Sequence, residues 1–208
     1  MARHGVDYAG LHRAFKFLAA AASWPGRLAS WAVLLIMLFT ITSVIGSQLR
    51  MGTLATWDTR LILIGDRITL AGLTELQWHA FGVMIMLGGA HALLRDRHIR
   101  VDILYGQFSP RLRRAVDVLG DLVFLIPFCI IIIYFSLGYV ERSYLTGERS
   151  DYGGLRDRYL IKAMIPVGLG LLLFAAAVRV LRNLCIIFGL IPDDEDDDGA
   201  DEPKGMAS

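Results

Sequence analysis

The chain has 208 residues, 55% of them apolar, with 21 Lys and Arg set against 20 Asp and Glu for a formal charge of +1. A soluble domain of this length carries more charge and fewer unbroken apolar runs, so an ordinary globular fold is excluded. The near-neutral total hides a split: eight of the acids lie between Asp193 and Glu202, and the body before them holds 20 basic and 12 acidic residues, a balance of +8.

Residues 1–27 form a basic segment in which Leu11, Ala14, Phe15, Leu18 and Ala22 follow helical spacing, with His12, Arg13 and Lys16 off that stripe. The pattern predicts a cytoplasmic amphipathic helix in the headgroup plane. Phe17 to Ala22 is too short for a secretory core, so no cleavage is expected. A bilayer core of ~30 Å needs about 20 apolar residues in a helix. Leu28 to Leu49 meets that length without a charge and is the first predicted span. Leu61 to Thr74 is apolar but carries Asp66 and Arg67, and reads as an interfacial or re-entrant segment.

The second span is predicted over 76–94, with His79 and His91 near its ends and Trp78 and His79 as anchors at its outer end. The loop that follows holds Arg95, Arg97, Arg100, Arg111, Arg113 and Arg114. Within it Val101, Leu104, Tyr105 and Phe108 predict a second interfacial helix. Ser109-Pro110 reads as N-cap and first residue of the helix that becomes the third span, about 115–140. Asp117 stands within one turn of Arg113 and Arg114, so an ion pair there would pin the helix. Asp121 sits at the edge of the hydrocarbon and needs a partner: Arg114 at a stretch, or a polar group on another helix or subunit. Pro127 frees the carbonyl of Val123 and predicts a kink. The fourth span is predicted over 161–182, with Lys162 and Arg179 snorkelling at the edges of its apolar run. Residues 191–208 are an acidic tail too polar to bury anything.

The expected architecture is an all-α integral membrane protein: four transmembrane helices within residues 28–190, plus amphipathic interfacial helices. Four spans place both termini on one side. Thirteen Lys and Arg fall on that side and eight on the other, which predicts cytoplasmic termini in an inner membrane. Cys129 and Cys185 lie in apolar surroundings without metal-ligand spacing. No nucleotide loop, nucleophile elbow or metal cluster occurs, so no enzyme, cofactor or nucleic-acid partner is expected. His79 and His91 leave open a haem-binding membrane anchor, and Asp121 a self-contained small channel or transporter.

One run is more specific. Leu76-Gln77-Trp78-His79-Ala80-Phe81 enters the second span, and Leu93-Leu94-Arg95-Asp96-Arg97-His98-Ile99-Arg100-Val101-Asp102 leaves it, followed by Ser109-Pro110-Arg111. With Gly147-Glu148 and Ile161-Lys162-Ala163-Met164-Ile165-Pro166, this resembles the small membrane subunits of tripartite ATP-independent periplasmic (TRAP) transporters, over about Gln77 to Ala175. The resemblance implies a scaffold beside a large elevator-type permease subunit. That assembly would be served by a periplasmic solute-binding protein and would take up an organic acid or similar solute with an ion. In this setting Arg95, Asp96, His98, Arg100 and Asp102 organise the cytoplasmic loop, with membrane lipid as a further partner. None of these residues is expected to touch substrate.

Overall fold

The computed structural model describes residues 8–95, 108–151 and 154–191, and these are mostly helical. Helix α1 (Tyr8–Ala29) runs almost directly into α2 (Ala32–Gln48). Pro25 removes one ladder donor, and at Ser30-Trp31 the backbone tightens, with Trp31 N–H donating to Leu28 O at 3.1 Å and Ser30 Oγ donating to Arg27 O at 2.6 Å. The run Gly10–Gln48 contains 39 residues. At ~1.5 Å per residue its length is nearly twice the ~30 Å hydrocarbon core, more than one crossing needs.

A β-hairpin follows: β1 (Thr53–Leu61) pairs antiparallel with β2 (Gly65–Thr69), Thr53 opposite Thr69 and Leu61 opposite Gly65. The stretch Leu61–Thr74, expected to be interfacial or re-entrant, is thus part of a hairpin rather than a re-entrant loop. It forms the hairpin turn, the second strand and the first turn of the next helix. Thr, Trp and Ile favour the pleated backbone, and Leu63 (φ 72°) and Gly65 (φ 81°) turn the chain. Thr69 Oγ1 then caps α3 (Leu70–Leu94) by accepting from Gly72 N–H at 3.0 Å.

Helix α4 (Pro110–Gly120) begins after Ser109, with Pro110 at its first position. It continues through one π-helical turn, Asp121–Leu125, into α5 (Ile126–Leu145). Pro127 lacks an N–H and crowds the preceding turn. The ladder absorbs this by a wider register, in which Ile126 N–H reaches Asp121 O. Helix α6 (Tyr159–Ile187) completes the bundle.

Helices α3 and α6 form the centre. Helices α1 and α2 pack along α3, and α4 and α5 along α6. Close approach rests on small residues, as expected where lipid removes the hydrophobic drive between helices. A Cβ on Gly168 would stand 2.6 Å from Met86 Cβ and O, and one on Gly26 2.7 Å from His91 Cβ. Ala22, Ala90, Leu93, Ala175 and Ala176 make a buried cluster at the end away from the hairpin. The outer surface is apolar: α2 alone exposes Leu34, Leu35, Met37, Leu38, Ile41, Val44 and Ile45. Among the described residues three helical runs are long and apolar enough to cross a membrane, Gly10–Gln48, Pro110–Leu145 and Tyr159–Ile187. Helix α3 has 25 residues but carries Glu75, Gln77, His79 and His91, which dilute its apolar character.

Candidate functional site

Among the described residues, polar side chains tie separate elements together at two loci, one at each end of the bundle. At the hairpin end, the link between α5 and α6 is tied to three other elements. Leu63 O accepts from Arg156 N–H at 2.8 Å, Leu63 N–H donates to Asp157 Oδ2 at 3.4 Å, and Arg156 stands 3.7 Å from Asp66. Asp157 also has positive φ, 53°, so two strained residues meet at this clamp. Trp57 Nε1 donates to Gly65 O at 2.9 Å and fixes the strand against the turn. The hydrogen bond from Arg67 holds the exposed Asp66 carboxyl below its ordinary range.

Glu75, in the first turns of α3, accepts from Leu155 N–H at 2.8 Å and from Ser150 Oγ. Gly154 permits this, because a Cβ there would lie 2.6 Å from Glu75 Oε2. Glu148 accepts from Lys162 Nζ and from Ser143 Oγ at 2.8 Å, with Arg158 4.0 Å away. The Lys162 hydrogen bond, then that of Ser143, lower its pKa. Lys162 also stands 3.9 Å above the Tyr139 ring.

Trp78 is exposed and meets Phe81 edge to face at 6.3 Å, which suits an interface anchor. His79 turns inward, with Nδ1 2.7 Å from Glu75 O. His79 and His91 are separated by about 18 Å along α3, at ~1.5 Å rise per residue, too far to share one ligand.

At the opposite end, Asp121 meets Arg179 of α6. Arg179 Nε donates to Oδ2 at 2.7 Å, and Nη2 donates to Oδ1. Asp121 is 3% exposed. Of the expected partners, the polar group on another helix is the one found, not Arg114, and Arg179 turns inward to the pair rather than snorkelling outward. The reason is antiparallel register: Asp121 precedes the apolar run of one helix and Arg179 follows that of the next, so both reach the same depth. One turn along, Arg114 Nη1 reaches Asn183 Oδ1 at 3.5 Å. Arg113 Nε donates to Phe108 O at 3.0 Å, and Asp117 is half-buried on the same helix. Arg95 is exposed at the C-cap of α3. Asp96, His98, Arg100 and Asp102 lie outside the described residues, as do the second amphipathic segment up to Gln107 and the acidic tail from Pro192.

Sequence reasoning missed Glu75, Glu148, Asn183 and the pairing role of Arg179. Glu75, Arg179 and Asn183 stand at the ends of apolar runs, a signal open to use once helix order is known.

Between α3, α5 and α6 runs an open groove of about 200 Å³, lined by Gly82, Met86, Tyr139, Ile161, Lys162, Met164 and Ile165. Its one cation is committed to Glu148. Among the described residues no group of three His, Cys, Asp or Glu is placed to hold a metal ion. Both polar loci bind helix to helix or loop to helix. They are suited to holding the bundle in one arrangement.

No curated protein matches the chain. The family model of the tripartite ATP-independent periplasmic transporters, DctQ component, matches residues 59–186, from the hairpin to the end of α6 and more than half of the chain. Two of the three long apolar runs, Pro110–Leu145 and Tyr159–Ile187 bar its last residue, and the Arg95-to-Asp102 run fall within that match, and the chain belongs to the DctQ family, the small membrane component of TRAP transporters.

Proposed function

We propose that the chain is the static membrane frame of a TRAP transporter, docked to a large elevator-type permease subunit that carries the solute and its coupling ion. A periplasmic solute-binding protein delivers an organic acid or similar solute to that assembly. In this reading α3 is a fourth crossing beside the three apolar runs. The hairpin end faces the periplasm of a bacterial inner membrane, and both termini and the Arg-rich loop face the cytoplasm. The basic flank of α1 lies against anionic headgroups.

The observation that carries this reading is the family match over the whole of α3 to α6. The locked polar contacts support it. An elevator domain can translate only against a neighbour that stays put, and here Glu75, Glu148 and the Asp121–Arg179 pair spend their hydrogen-bonding capacity inside the bundle.

The test is affinity purification of the tagged chain in mild detergent, together with solute uptake in cells that lack it. A large multi-span partner and lost uptake are expected. A chain that purifies alone, with uptake intact in its absence, would refute the proposal.

A further inference from the structure

The outer surface of the bundle is not uniform, and one stripe of α5 is chemically out of place for lipid. The face of α5 turned to the bundle holds Cys129, Ser136 and Ser143, all buried. At 100° per residue the opposite face is Ile130, Tyr134, Gly138, Glu141 and Leu145, and each of these is exposed. Tyr134 is 73% exposed. The apolar run Leu122–Val140 is centred on Ile131, so Tyr134 sits only about 4.5 Å from its middle at ~1.5 Å per residue. Helical side chains lean toward the N-terminus, which carries the phenol back toward mid-depth rather than out to water. Its hydroxyl makes no hydrogen bond among the described residues, and hydrocarbon offers none.

Two further features share the stripe. A Cβ on Gly138, one turn on from Tyr134, would meet nothing within 4 Å, so the backbone stands open to a close neighbour. Glu141, one turn further, is exposed and has no ion-pair partner among the described residues. The surface of α2 differs. From Val33 to Ile45 its exposed side chains other than Thr40 are aliphatic or Met, and the hydroxyls of Thr40 and Thr42 already donate to Ile36 O and Leu38 O at 2.7 and 2.8 Å. That face asks nothing of its surroundings and suits lipid.

We infer that the α5 stripe Tyr134–Gly138–Glu141 is the surface on which the large permease subunit docks. Its occupant is a membrane helix that approaches closely at Gly138, offers a hydrogen-bonding group to the Tyr134 hydroxyl at mid-depth, and brings a cation to Glu141 at the hairpin-end boundary. The complementarity is polar and charged as well as apolar, which lipid chains cannot supply. The inference rests on the small-subunit reading and deepens it by naming the face.

The test places a benzophenone amino acid singly at positions 131 and 134 on α5 and at 38 and 41 on α2, in the intact complex. Co-purification of the large subunit with the unmodified chain is scored first. Adducts to the large subunit from 131 and 134, at least fivefold above those from 38 and 41, are expected. Gly138→Trp should cut the large subunit recovered at least tenfold, and Ile41→Trp should leave it unchanged. Tyr134→Phe should speed dissociation several-fold. Co-purification with adducts only from α2, or with Gly138→Trp harmless, would overturn the face assignment and leave the subunit reading standing. Loss of co-purification for the unmodified chain would overturn both.

Discussion

Replacing Arg179 by Leu isolates the energetic role of the inner ion pair. The change leaves the Asp121 carboxylate, 3% exposed, without its two guanidinium donors. Breaking a buried pair from one side costs about 3–5 kcal/mol, because the remaining charge keeps its desolvation penalty. The pair lies at the edge of the apolar run, and the Arg179 side chain is 18% exposed, so headgroup water reaches it and the lower end applies. A loss of ~3 kcal/mol is roughly a hundredfold in the folding equilibrium. The double variant Asp121→Leu with Arg179→Leu removes both charges and should fall within about 1 kcal/mol of the parent, since paired replacement of a buried ion pair is often neutral. The assay is equilibrium unfolding of the purified protein in mild detergent titrated with a denaturing detergent, followed by tryptophan fluorescence and closed as a double-mutant cycle. Additive single effects, or an Arg179→Leu cost below ~1 kcal/mol, would refute the pair as the lock between α4–α5 and α6.

Other outcomes follow from the same geometry. Gly168→Ala should destabilise by about 1–3 kcal/mol in the same assay, because its Cβ meets the Met86 backbone, which cannot swing away. Gly170→Ala, where a Cβ meets nothing within 4 Å, should be neutral or stabilise by up to ~1 kcal/mol. Glu75→Gln weakens the charge-assisted bonds to Leu155 N–H and Ser150, so amide exchange at Leu155 should accelerate about tenfold or more, a cost of ~1–3 kcal/mol. The Glu148 pKa lies below its ordinary value of 4.5 in the folded state, so its contribution is present above pH 4.5 and is lost as the pH falls through the lowered value. Amide exchange in the α5–α6 link should therefore rise on acidification below that pH, and Glu148→Gln should remove the dependence.

Much of this fold is legible in the sequence because the bilayer imposes a length test, and runs such as Leu28–Leu49 and Leu122–Val140 pass it without reference to any partner. The hairpin is not legible by that test. Its turn, Ile62-Leu63-Ile64, is as apolar as a membrane segment, and the strand signals in Thr53–Leu61 are short beside the spans that flank it. The inner lock escapes for another reason. Asp121 announces that it needs a partner, but Arg179 is 58 residues away and only the antiparallel order of the helices sets the two at one depth. The resemblance over Gln77 to Ala175 carries the family, whereas the candidate site does not follow from it. Of Arg95, Asp96, His98, Arg100 and Asp102 only Arg95 is described, and the polar contacts that organise the described bundle come from Glu75, Glu148 and Arg179, of which the resemblance held Glu148 alone and gave it no role.

The clamp between Leu63 and residues 156–157 also has a consequence for biogenesis. These partners are separated by 94 positions, and Glu75 is separated from Leu155 by 80. Neither contact can close while the nascent chain is still being threaded through α4 and α5. The far end of the bundle can begin to assemble from the earlier helices, but the hairpin-side seal forms only after the α5–α6 link has been made. Its closure thus records that every segment up to the α5–α6 link has been made, and a chain halted within α5 would display an unsealed strand pair to the quality-control proteases of its membrane.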